Sequence, residues 1–89
     1  MTGFLGMDVP AVRNLATQLS AKADEIESIM SVLTSQLNSV QWIGPDADNF
    51  RNDWQSVHRV QLTTVAQALR DAATRATNNA NQQVQASGS

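Results

Sequence analysis

The residue best suited to chemistry in this chain is His58, the sole histidine among 89 residues. An imidazole titrates near neutrality and serves as acid, base or metal ligand. Each of those roles needs neighbours. A metal site requires further His, Cys or carboxylate at compatible spacing, and none lies one helical turn from His58 on its face. A nucleophile requires a base and an orienting group, whereas the Ser and Thr residues are scattered. There is no Gly-rich phosphate loop and no Cys. The pattern predicts no enzyme, no cofactor and no metal. His58, together with Gln61, falls inside the apolar arc of a helical stretch, where a lone histidine is expected to be a core or interface residue.

The charges point away from another class of function. Arg13, Lys22, Arg51, Arg59, Arg70 and Arg75 are dispersed, and the net charge is −2. A nucleic-acid partner usually demands a basic face. The opening MTGFLGMD has neither a basic n-region nor a long apolar h-region, and no run of about twenty apolar residues could span a bilayer. These features predict a soluble chain without a signal peptide. A single small domain of this length has a marginal core, and with neither disulfide nor metal, oligomerisation is the expected remedy.

The elements are organised around residues 41–54, QWIGPDADNFRNDW, which hold three of the four aromatic residues with a Gly and a Pro. Before them, residues 1–7 read as a loose leader, although Phe4 and Leu5 could tuck against a bundle end. Asp8 and Pro10 mark a helix start, since a carboxylate accepts orphan backbone N–H groups and Pro suits a first turn. The first helix is expected over residues 8–40. Val12, Leu19, Ile26, Leu33 and Val40 recur every seven residues, and Ala16, Ala23, Met30 and Leu37 form a second row; Leu15 and Ile29 widen the stripe. Lys22 interrupts its edge, where its stem can lie on apolar surface. Asp24, Glu25 and Glu27 read as a solvated acidic face.

A turn is expected at residues 41–45 and a second helix at 46–77. Gly44 suits the turn, Pro45 the first helical position, and Asp46 and Asp48 the positive end of the helix dipole. Ala47, Phe50, Trp54, Val57, Val65, Ala68, Leu69, Ala72 and Ala76 then fall in one arc of roughly 140° on a straight helix. Phe50 and Trp54 read as core anchors. Asp71 and Arg75 are spaced as a minor helix-supporting pair. Residues 78–89, rich in Asn, Gln and Ser, are expected to be a disordered tail.

Helices of this length run roughly 45 Å, and a hairpin shields only one line of each apolar arc. The expected fold is therefore all-α: an antiparallel helix-turn-helix hairpin that dimerises into a four-helix bundle. The expected core and dimer interface comprises Val12, Leu15, Leu19, Ile26, Met30, Leu33, Leu37, Phe50, Trp54, Val57, His58, Val65 and Leu69. Trp42, at the corner, either plugs the bundle end or belongs to an exposed docking patch.

Trp42-Ile43-Gly44, followed by Ala47, Phe50 and Trp54, resembles the W-x-G-x-x-A-x-x-F-x-x-x-W corner of the WXG family. These are ESAT-like substrates of about a hundred residues exported by type VII (ESX) secretion systems. The resemblance spans essentially the whole chain. It implies a hairpin that pairs with itself or with a paralogous WXG-type protein, is cytoplasmic before export, and is then secreted without a signal peptide. The partner implied at the membrane is the type VII secretion ATPase, with Trp42 and Gly44 as the motif that contacts the machinery. Many relatives carry a Y-x-x-x-[D/E] export signal past the second helix. This chain has no Tyr, so a partner supplies the signal, recognition differs, or export is not its fate. The alternatives are a membrane-active effector, disfavoured by polar faces that are not Lys/Arg-rich, and a purely intracellular dimerisation module.

Overall fold

Asp8 starts the first helix. Its side chain accepts the Ala11 N–H at 3.1 Å, and Pro10 occupies the first turn, where its missing N–H costs nothing. Helix α1 then runs Val9–Ser39. The computed structural model describes residues 6–88, with side chains through residue 86. Of the leader expected at residues 1–7, residues 1–5 lie outside that range, and Gly6 and Met7 have no regular secondary structure. Among the described residues every regular element is helical.

The chain reverses over residues 40–44, and helix α2, Pro45–Asp53, carries Asp46 and Asp48 in its first turn. One π-helical turn, Trp54–His58, follows, and helix α3 spans Arg59–Gly88. The second arm is continuous, and α1 packs antiparallel along it. Thr34 meets Trp54 near the corner, and Asp24 and Glu27 meet Arg70 further down.

The seam between the arms is made of small side chains. Ala16, Ala23 and Met30 of α1 are buried, as are Ala66, Ala73 and Ala80 of α3. Both sets recur every seven residues, the spacing at which a helix returns nearly the same face to its neighbour. Alanine lets the two backbones approach closely but removes little apolar area from water. Among the described residues, Met30 and Trp54 are the only larger side chains that are buried.

The π turn corrects the straight-helix arc expected for the second arm. The Arg59 N–H bonds back five residues to the Trp54 carbonyl, which inserts one residue into the helical count. Ala47 and Trp54 face α1 before the turn. A straight helix would continue that face through Gln61 and Ala68, but both are exposed. The buried face instead resumes at Leu62, Ala66, Leu69, Ala73, Ala76 and Ala80, all at least half-buried.

Two further expectations change. The helix does not end near Thr77 but continues to Gly88, because the alanine seam extends to a fully buried Ala80. Packing there offsets the low helix propensity of the Asn- and Gln-rich sequence. The acidic face of α1 is not wholly solvated: Arg70 reaches across the seam to Glu27 at 2.7 Å and to Asp24 at 2.8 Å. Lys22 pairs within its own helix with Glu25 at 2.9 Å, and Asp71 accepts from Gln67 at 2.9 Å.

Candidate functional site

The corner is built from backbone constraint outward. Gly44 has φ 134° and ψ 172°, in a region that L side chains avoid. A Cβ placed there would meet no atom within 4 Å. The glycine of Trp42-Ile43-Gly44 is thus required by backbone conformation rather than by crowding.

Arg51 closes the turn. Its Nε donates to the Leu37 carbonyl at 2.9 Å and its terminal nitrogens to the carbonyls of Trp42 at 2.8 Å and Val40 at 3.3 Å. These include carbonyls at the end of α1, which lack helical partners and carry the negative end of its dipole. The guanidinium carbon also lies 5.9 Å from the centroid of the Trp42 ring, within cation–π range. One side chain therefore ties α1, the turn and the exposed tryptophan to α2. Arg51 was not singled out among the scattered basic residues. Its signal is positional: it stands four residues after Ala47 and three before Trp54, on the face that meets α1.

The two tryptophans have different environments. Trp54 is buried and its indole N–H donates to the Thr34 hydroxyl at 2.9 Å. Trp42 is 42% exposed. It leads a file of rings, with centroids 6.1 Å from Trp42 to Phe50 and 6.4 Å from Phe50 to His58. The expectation that Phe50 is a core anchor does not hold within the hairpin, where it is 40% exposed. Its position three residues after Ala47 turns it to the side of the seam. His58 and Gln61 are exposed too, because the π turn rotates the arm beneath them.

This file continues an open apolar stripe along one side of the hairpin. Leu15, Ile29, Leu33, Val40, Val57 and Val65 are all exposed. Val12, Leu19, Ile26, Leu37 and Leu69 are half-buried between stripe and seam. Of the residues expected to form the core and interface, only Met30 and Trp54 are buried by the hairpin itself.

Set against protein-family models, characterised proteins and solved structures, the chain matches none. Nor is any helix among the described residues long and apolar enough to cross a membrane. Arg70 has a displaced titration. Hydrogen bonds to Glu27 and then Asp24 hold its guanidinium above its ordinary value. The corner presents a hydrocarbon and aromatic surface with one rigidly held cation beneath it, an arrangement suited to protein recognition.

Proposed function

We propose that this chain is a self-pairing helical hairpin that works as a substrate or adaptor of a type VII secretion system, recognised at its Trp42–Gly44 corner. The observation carrying the pairing half is the open apolar stripe beside an alanine seam. The accessible surface is 6245 Å², whereas a compact chain of this mass would expose about 5,100 Å². The radius of gyration is 19.6 Å against about 12 Å for a compact domain of this length. The hairpin is long and thin, with extents of 65 × 17 × 15 Å, and leaves most of its large apolar side chains at least partly exposed. A second copy laid antiparallel across the stripe would cover Leu15, Ile29, Leu33 and Val65 from both subunits, forming a four-helix bundle.

The export half rests on the resemblance of residues 42–54 to the WXG corner. Its physical support is the division of labour between the tryptophans: Trp54 is enclosed, while Trp42 is held open by Arg51. In the proposed bundle Trp42 stays at the end, available to the secretion ATPase.

Light scattering of the purified chain tests pairing, with twice the monomer mass expected; a well-folded monomer refutes it. Export is tested by comparing culture supernatants with and without the ATPase of the matching secretion system. Equal amounts overturn the export reading, whereas the expected result is loss. Trp42→Ala should remain dimeric yet fail to appear outside the cell.

A further inference from the structure

The tip of the corner displays an apolar side chain that the hairpin itself does not cover. Ile43 is 84% exposed, against 42% for Trp42 and 40% for Phe50. Single surface hydrophobics are ordinary, but this one stands on a pinned backbone. The Trp42 N–H donates to the Val40 carbonyl at 3.1 Å, and the Asp48 N–H to the Gly44 carbonyl at 3.0 Å. Arg51 holds the Trp42 carbonyl, in the peptide that leads into Ile43, at 2.8 Å. On the other side Gly44 sits at φ 134°. A side chain fixed in this way loses little backbone freedom on docking. Trp42 is less free, because the Phe50 ring and the Arg51 guanidinium lie 6.1 and 5.9 Å from its centroid.

The charges at the corner also differ from those of the stem. Down the stem, Arg70 holds Asp24 and Glu27, and Lys22 holds Glu25. Asp71 accepts from Gln67, and Asp8 from the Ala11 N–H. Asp46, Asp48 and Asp53 are exposed and, among the described residues, have no ion pair or side-chain hydrogen bond. Asp46 and Asp48 complement the helix dipole. Asp53 has no such role, since the arm continues past it to residue 88. Asp46 and Asp53 stand four residues before and three after Phe50, which puts both on its side of the arm. Arg51, the one basic residue of 41–54, is turned onto backbone carbonyls. The tip therefore offers hydrocarbon bordered by uncompensated carboxylates.

We propose that the corner is read by an apolar pocket with a Lys- or Arg-rich mouth on the recognising protein, and that Ile43 is the side chain that enters it. Ile43 supplies the buried area, Trp42 and Phe50 support it from one side, and Asp46, Asp48 and Asp53 meet the basic mouth. Complementary charge steers such an encounter and fixes its orientation. The tip lies at the end of the rod, beyond the apolar stripe, so self-pairing leaves it free. The proposal rests on the reading of the corner as the site that the secretion ATPase recognises, and adds the chemistry of that contact.

The test is calorimetric titration of the full chain with the purified soluble ATPase domains of the matching system, at low and at high salt. Ile43→Ser should weaken binding by about tenfold or more, the scale of one aliphatic side chain withdrawn from a pocket. Its helicity and dimer mass should be unchanged, because the side chain is solvent-facing in the hairpin. Val60→Ser, an exposed apolar position outside the corner, should bind as the wild type does. The combined Asp46→Asn, Asp48→Asn and Asp53→Asn protein should bind more weakly at low salt and lose most of the salt dependence. No binding by the wild type overturns the recognition reading and this proposal with it. Wild-type binding that Ile43→Ser leaves intact, or whose salt dependence survives the Asn substitutions, overturns this proposal alone. So does a fall of Ile43→Ser to monomer mass, which would give the side chain to the paired copy, or equal binding of wild type to zwitterionic vesicles, which would make the tip a lipid anchor.

Discussion

The corner half of the hairpin and its stem hold the same two arms together by different means. Near the corner the contacts are large and directional: Trp54 bonded to Thr34, Arg51 tied to carbonyls of α1 and the turn, and Thr63 donating to the Met30 sulfur at 3.7 Å. Down the stem they are alanines, with one exposed ionic cluster at Arg70. Directional contacts set how the arms are registered; small side chains set how closely they run. The corner also leaves aromatic surface uncovered, whereas the stem is closed along its seam and open only at its flank.

Trp54→Ala attacks the corner at its largest buried side chain and should cost about 3–5 kcal/mol. In a chain with so little other core, the expected reading is a collapsed urea midpoint or loss of the helical circular-dichroism signal. A shift of the midpoint no greater than that of an exposed substitution would make the corner dispensable and the comparison void.

The stem is broken by addition rather than removal. Ala66→Leu forces bulk into a fully buried position and should destabilise by about 1–3 kcal/mol. Ala68→Leu, two residues on and exposed, should stay within about 0.5 kcal/mol. Thermal melts of the pair test the register produced by the π turn. If Ala68→Leu were the damaging change, the arm would be a straight helix instead.

The smallest effects separate the two arginines. Arg51→Gln removes charged hydrogen bonds, one of them to the part-buried Leu37 carbonyl, and should cost about 1–2 kcal/mol, whereas Arg70→Gln, in an exposed, salt-screened cluster, should shift the midpoint less. Equal midpoints in urea would erase the distinction. The pH sign for Arg70 is simple. Its folded-state pKa is raised by Glu27 and Asp24, so its contribution is present below the ordinary arginine range. On the basic side it is lost as pH rises through the raised value, and neutral pH leaves it intact.

Much of this was legible because it is local. Asp8 with Pro10, Gly44 with Pro45, and the seven-residue rows of α1 are signals written within a turn or two of where they act. They mark a helix start, a reversal and an apolar face through backbone hydrogen bonding and the helical period alone. The candidate site was half legible. Trp42 and Gly44 stood out by type and spacing, but Arg51 did not, since what it does depends on carbonyls nine to fourteen residues away.

What the chain alone determined is that two amphipathic arms meet at an aromatic corner with a glycine at its hinge. Tertiary structure decided which stripe of each arm turns inward. Trp54 must face Thr34 and Ala66 must face α1, and on an unbroken α-helix both cannot do so. One extra residue at Trp54–His58 reconciles them, moving Gln61 and Ala68 to the surface and leaving His58 exposed beside Phe50. A periodicity computed along one helix carries no information about its neighbour, and the neighbour is what selects the register.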